Sequence, residues 1–288
     1  MKRWATRLGS TRLALVGMVL LGVGAALSYG NPAGTPVWVL VVPLGLLGLN
    51  LLAAIVTNPR INRRPGLLVF HLGLLGVIVL AGAGRLTHMQ AHLEIAQGSA
   101  FDPATIHDVR KGPWHFGDLQ DVHFIESGFT VDSTAGMVRG LTQNRIYVKD
   151  GKGQWEARDI GDDRPLISHG YRFYTTFNKG FSPILTWTPD NGKPITGTIN
   201  MPSYPLFSFR QENTWKPPHA GPIKFWLRLD TGMDPDKAWV LDPRKVTGKL
   251  VVNTGGRRIE LNPGEQVRLP GGLLRYDDLT SWMGFKIF

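Results

Sequence analysis

Three long apolar runs near the start of the chain constrain the fold more than any other feature. They cover residues 13–30, 37–56 and 67–84, and each is 18 to 20 residues long. A helix rises about 1.5 Å per residue, so each run is long enough to cross a hydrocarbon core about 30 Å thick. The first run has the basic start of a signal peptide, but its length and the two further runs favour a retained helix. We therefore predict a transmembrane region of three helices in residues 1–84.

The basic residues near these runs predict an orientation. The connection at residues 57–66 carries three arginines, whereas the connection at residues 30–36 carries no charge. Lys and Arg collect on the cytoplasmic side, so we expect the N-terminus and the second connection there, and the chain after residue 84 outside, in the periplasm of a bacterium. The same placement explains most of the net charge of +10 without nucleic-acid binding. The basic residues that flank the runs are Lys2, Arg3, Arg7, Arg12, Arg60, Arg63 and Arg64.

Residues 85–288 have the pattern of a β protein. Thr142–Ala157 is typical of two strands joined by an Asp150-Gly151 turn, and Tyr171–Thr176 and Ile184–Thr188 alternate as further strands. The predicted fold class is an α+β membrane protein, with three transmembrane helices followed by a large extracytoplasmic domain that is mostly β and resembles a sandwich or barrel. The chain has no cysteine, which excludes a disulfide, a thiolate nucleophile and a CxxCH haem attachment within it.

Three histidines are candidate ligands. His71 lies inside the third run, where ionisable residues usually face a cavity, a bundle interior or a cofactor; a structural imidazole bonded to a carbonyl is the alternative. His88 and His92 are four residues apart where the third helix emerges, so both would lie on one face if the helix continued, and they would there suit a metal or haem. A polar helix end is the plainer interpretation of this pair. No catalytic motif is present, and Asp102, Asp162 and Asp163 are interpreted as turn or cap residues.

Three segments give the sequence a family resemblance. They are Phe70–Gly76, with its histidine followed by glycines, and the later runs Gly170–Pro183 and Ile199–Leu206. In these segments, and in the order of three early spans before one large external domain, the chain resembles the ResB (CcsB) family of System II cytochrome c biogenesis.

The resemblance implies a function and partners. Proteins of this family work with a CcsA-type membrane protein, and together they move haem across the membrane and attach it to apocytochrome c. By position, His71 matches the third-span histidine of the family, a candidate axial ligand to haem. The thioether-forming cysteines would belong to the substrate, in agreement with their absence here. No family motif gives a role to His88 or His92.

Two departures from the family pattern keep alternatives open. The family has a fourth span after the external domain, which this sequence lacks, so we expect either a missing helix or a fragment. The CcsA-type half is also absent, so the chain would be at most the accessory half of a haem lyase. The alternative function is a membrane-anchored scaffold or assembly factor that binds a periplasmic protein without a cofactor.

Overall fold

The structure, a computed structural model, describes residues 7–149, 152–254 and 256–288. It divides into two compact units. The first contains the described residues up to Gln90 together with Val109–Phe116, and the second contains Ala91–Asp108 and Gly117–Phe288. The predicted cytoplasmic residues Lys2 and Arg3 lie outside the described residues.

Three long helices form most of the first unit. They are α1, Thr11–Gly30; α2, Trp38–Thr57; and α3, Pro65–Thr87; a one-turn helix, Pro59–Asn62, precedes α3. Their mean hydropathies are 2.0, 2.5 and 2.3, and all three are long and apolar enough to cross a membrane. This confirms the prediction of three apolar helices before the β-rich part. The third helix ends at Thr87, slightly beyond the predicted end of its apolar run.

Local sequence determines where the helices begin. The Ser10 hydroxyl caps α1 by accepting a hydrogen bond from the Leu13 N–H at 3.3 Å. Pro65 lies in the first turn of α3, where backbone N–H groups have no intrahelical acceptor, so its missing N–H costs the helix no hydrogen bond. These local signals favour helix starts at these positions.

Small and polar residues hold α1 against α2. A Cβ atom at Gly24 would lie 2.6 Å from the Val39 carbonyl oxygen, so only glycine allows this approach of the two backbones. The Asn50 side chain donates a hydrogen bond to the Ser10 carbonyl at 2.9 Å. The buried amide of Asn50 is thereby satisfied inside an otherwise apolar bundle.

The strands of the described residues form three sheets. The strands are β1 Met89–Ala96, β2 His107–Lys111, β3 Phe124–Thr134, β4 Val138–Lys149, β5 Trp155–Gly161, β6 Leu166–Ser168, β7 Tyr171–Pro189, β8 Ile195–Thr198, β9 Glu212–Trp215, β10 Ile223–Asp230, β11 Trp239–Leu241, β12 Thr247–Thr254, β13 Arg257–Leu261, β14 Gln266–Leu269 and β15 Gly272–Ile287. A seven-stranded sheet has the order β2-β1-β15-β7-β6, with β14 paired to β15 and β8 paired to β7. Two four-stranded sheets have the orders β13-β12-β10-β9 and β11-β3-β4-β5.

The long antiparallel pair β7–β15 organises the core of the second unit. At one end, Phe173 of β7 and Phe285 of β15 pack against Phe124 of β3, with ring centroids 5.3 and 5.8 Å apart. At the other end, the Tyr276 hydroxyl donates a hydrogen bond to the Gly248 carbonyl of β12 at 3.1 Å. Both four-stranded sheets therefore contact the same long strand pair.

The segments predicted as strands are strands in the structure, but the bounds of some of them differ from the prediction. The strands β4 and β5 pair antiparallel, as the Thr142–Ala157 pattern predicts, although their Asp150-Gly151 turn lies outside the described residues. The segments 171–176 and 184–188, predicted as separate strands, belong to the single strand β7. Strand β15 accommodates the irregular part between them by a register shift between Met283 and Phe285.

Candidate functional site

His71 lies in the second turn of α3, and its ring orientation is fixed by the helix itself. Its Nδ1 atom is 2.7 Å from the carbonyl oxygen of Leu67, one turn earlier. A carbonyl oxygen only accepts, so Nδ1 is the donor in this bond, and in the neutral ring Nε2 keeps its lone pair. In this tautomer an imidazole can bind a metal through Nε2 while the hydrogen bond from Nδ1 holds the ring in place.

His71 is half-buried and lies on the side of α3 that faces α2. A Cβ atom at Gly48 of α2 would lie 3.4 Å from Cγ2 of Ile78, so the side of α3 that carries Ile78 faces α2. His71 belongs to the same stripe, because the half-buried positions recur every three or four residues. The neighbouring Phe70 is exposed, with its ring 5.5 Å from the imidazole in an edge-to-face arrangement. The half-buried stripe includes Leu68, His71, Leu75, Ile78 and Gly82.

His88 caps the opposite end of the same helix. It is the first residue after α3, and its Nδ1 is 2.8 Å from the Arg85 carbonyl oxygen. Seventeen residues of helix separate it from His71, a rise of about 25 Å. One iron atom therefore cannot bind both imidazoles.

The condition for His88 and His92 to share a helical face, a continuing helix, is not met. The helix does not continue: it ends at Thr87, His88 has a ψ of 153°, and His92 lies in strand β1. An extended backbone at this point removes the shared helical face on which the prediction depended. Whether either histidine is a ligand stays a prediction.

His92 instead lies beside a histidine that the sequence did not single out. Its ring centroid is 6.3 Å from that of His107, and its Nδ1 is 3.9 Å from a carboxylate oxygen of Asp108. The pairing of β1 with β2 joins these residues, which is why their sequence separation gave no signal. In the part of the chain that the structure describes, no group of three or more His, Cys, Asp or Glu residues could hold a metal ion.

The Gly170–Pro183 run contains a buried lysine that sequence reasoning missed. Lys179 is only 2% exposed, and burial lowers its pKa to about 7, with the positive charge of Arg139 acting in the same direction and Asp162 opposing. Asp162 pairs with Arg139 at 2.6 Å and accepts a hydrogen bond from Thr175 at 3.0 Å, so it is an ion-pair residue as well as a loop residue. The guanidinium of Arg139 lies 4.2 Å from the centre of the exposed Phe177 ring. The cluster thus presents an aromatic ring beside two basic side chains.

Three helices that can cross a membrane, followed by a β-rich unit of several sheets, define the class of protein: a membrane protein with a large β unit. The family described as the ResB-like family matches residues 61–216, more than half of the 288 residues. The chain belongs to this family. Membership confirms the family resemblance and implies a function related to cytochrome c biogenesis. A comparison with curated proteins gives no significant match.

Proposed function

We propose that this chain is a subunit of a cytochrome c maturation complex that assists the delivery of haem and its attachment to apocytochrome c. The observation that carries the proposal is His71: a histidine on a membrane-spanning helix, within the range matched by the family, with Nδ1 bonded to a carbonyl and Nε2 available. The chain would be the accessory half of the complex, and a CcsA-type protein the other half.

The donor chemistry of His71 fits one axial position of a haem iron. A neutral imidazole whose Nδ1–H is held by a carbonyl is a good iron ligand through Nε2. His88 is about 25 Å away along α3 and cannot bind the same iron, so the proposal assigns any second protein ligand to the partner. Bound haem would supply the vinyl groups that form the thioether bonds. The thiols would come from the CxxCH cysteines of the cytochrome, because this chain has no cysteine.

The third helix also offers a surface for a partner helix. Gly73 and Gly76 have nothing within 4 Å of an added Cβ, whereas Gly17 and Gly24 of α1 are in tight contact with α2. Small residues on an uncovered helix face let another helix approach closely. This supports a membrane partner that packs on the face of α3 that points away from α2.

The distribution of basic residues supports the orientation of the proposed complex. Arg60, Arg63 and Arg64 lie between α2 and α3, and the α1–α2 connection is uncharged. The positive-inside rule then places the N-terminus in the cytoplasm and the β unit on the extracytoplasmic side of a bacterial inner membrane, where apocytochrome c is matured.

A cofactor-free scaffold is the second candidate, and one loop of the β unit favours it. Phe207, Ser208 and Phe209 all have positive φ, between 54° and 60°, and both phenylalanines are exposed. A strained loop that displays apolar side chains is typical of a protein-binding surface.

A maturation assay tests the proposed function. The chain, a CcsA-type partner and an apocytochrome c would be co-expressed, and covalent haem on the cytochrome measured by haem staining after denaturing electrophoresis. We expect holocytochrome with wild type and a strong loss with His71→Ala, while the partner still co-purifies. Full maturation with His71→Ala, and no haem in the purified complex, would instead favour the scaffold.

A further inference from the structure

The first unit contains a cavity of about 300 Å³ at the end of the helix bundle opposite His71. It lies where α1 ends, α2 begins and α3 ends, and three basic side chains and one histidine line it. We call it the basic cavity and define it by Arg85, His88, Arg110 and Lys111. Among the described residues, no Asp or Glu lines it.

The chain builds the basic cavity by folding a short segment back onto the end of α3. The Gly112 N–H donates to the His88 carbonyl at 2.8 Å, and the Trp114 N–H donates to the Leu86 carbonyl at 2.9 Å. A side chain at Gly112 would collide with the Leu86 carbonyl, so this position requires glycine. These bonds satisfy carbonyls at the C-terminal end of the helix and fix Arg110 and Lys111 beside Arg85.

Cations suit this place electrostatically, yet they leave a net positive charge. The C-terminal end of α3 carries a partial negative charge, equivalent to about half an elementary charge. Arg85, Arg110 and Lys111 bring three positive charges to it. Because no carboxylate among the described residues lines the cavity, these charges favour an anion from outside the chain.

Exposed aromatic residues place the cavity at a membrane surface. Trp114 is 62% exposed and Phe116 is 81% exposed, and both lie in the segment that folds back on α3. Trp38 is the first residue of α2, and Tyr29 is the penultimate residue of α1; both are also exposed. Tryptophan and tyrosine at the ends of membrane helices lie at the depth of the lipid headgroups.

We propose that the basic cavity binds the phosphate headgroup of an anionic phospholipid. Arg and Lys bind phosphate oxygens by charge-assisted hydrogen bonds, and basic pockets between membrane helices bind anionic headgroups in this way. The apolar part of the lining, Pro36, Val37 and Leu40, belongs to the start of α2 and would contact the first carbons of the acyl chains. A haem held by His71 would lie at the other end of α3, so it does not account for this site.

The full-length chain in detergent tests the proposal by lipid titration. Native mass spectrometry would count bound phosphatidylglycerol against phosphatidylcholine for wild type, for the double variant Arg110→Gln/Lys111→Gln and for the control Lys193→Gln/Lys216→Gln. The control removes the same charge from exposed positions of the β unit. We expect wild type and control to prefer phosphatidylglycerol, and the double variant to bind it about tenfold more weakly.

Three outcomes would overturn the proposal. One is undiminished phosphatidylglycerol binding by the double variant. The others are displacement of the lipid by millimolar inorganic phosphate, which would indicate a site for free anions, and displacement by haem, which would indicate a site for its carboxylates. Circular dichroism checks the fold of each variant. If the double variant is misfolded, Arg85→Gln alone replaces it in the titration, with an expected loss of about fivefold because it removes one charge.

Discussion

Glu126 is a buried carboxyl group in the core of the β unit. It is 1% exposed, and its two oxygens accept hydrogen bonds from the Gly128 N–H and the Asn144 amide, both at 2.8 Å. Burial nevertheless dominates and raises the pKa of Glu126 from 4.5 to about 7. Beside it, the Asn144 carbonyl oxygen is buried and has no hydrogen-bond partner among the described residues.

The raised pKa of Glu126 predicts that the β unit loses stability as the pH rises. Between pH 4.5 and about 7 the folded state holds a proton that the unfolded state has released, so the free energy of unfolding falls, by about 3 kcal/mol in total. Glu126→Gln should remove this pH dependence of the free energy of unfolding. It should also be more stable than wild type at pH 8, because the glutamine amide can donate a hydrogen bond to the Asn144 carbonyl oxygen once the Asn144 side-chain amide flips. Urea unfolding in detergent, followed by tryptophan fluorescence, measures both; an unchanged slope would contradict the prediction.

The buried Lys179 predicts a pH dependence of the free energy of unfolding with the opposite sign, at higher pH. Its pKa is lowered from 10.5 to about 7, so above pH 7 the unfolded state binds the extra proton and the free energy of unfolding rises with pH. Lys179→Met should abolish this rise and be more stable than wild type near pH 6, since no charge is then buried. The same urea titrations, with exposed Lys193→Met as control, check it; a rise that persists in Lys179→Met would count against burial as its cause.

Among the secondary-structure elements, the packing of α1 on α2 depends on one glycine. Gly24→Ala places a methyl group 2.6 Å from the Val39 carbonyl oxygen, a backbone atom that cannot move aside, whereas Gly22→Ala on the same helix meets nothing within 4 Å. We expect Gly24→Ala to destabilise the bundle by about 1–3 kcal/mol and Gly22→Ala to have little effect. Thermal unfolding in detergent compares them, and equal stability of the two variants would contradict the packing.

The sequence predicts the helices better than the strands. An apolar run long enough for a membrane, ended by polar residues, specifies a span by itself, and the three helices follow the predicted runs closely. Strand β7 was predicted as two strands because Phe177, Asn178, Lys179 and Gly180 interrupt its alternation. Its continuity comes from pairing with β15, about a hundred residues later, and local sequence carries no such information.

The candidate site shows the same difference between features fixed by local sequence and features fixed by non-local contacts. The location of His71 within a membrane helix follows directly from its surroundings in the sequence, and its bond to Leu67 is a local helical contact. The end of α3 at Thr87 was not predictable from the run Thr87–His92, which is compatible with a helix. The partner of His92, His107, and the cation cluster near α3 are fixed by strand pairing and a folded-back segment, which are non-local.

The distribution of basic residues predicts a definite orientation of the complete chain in the membrane. The chain has no native cysteine, so a single engineered cysteine reports on its own location. In spheroplasts, an impermeant maleimide should label Lys193→Cys in the β unit at once, and label Asn62→Cys between α2 and α3 only after permeabilisation. The reverse pattern would place the β unit in the cytoplasm and exclude the proposed maturation role.

Haem ligation by His71 is tested most directly by the absorption spectrum of the complex co-purified with a CcsA-type partner. We predict that wild type and the exposed-histidine control His123→Gly show a haem band, that His71→Gly loses most of it while the complex still assembles, and that added imidazole restores it by replacing the missing ligand. A wild-type spectrum in His71→Gly without imidazole would contradict the claim and leave the imidazole of His71 a structural group.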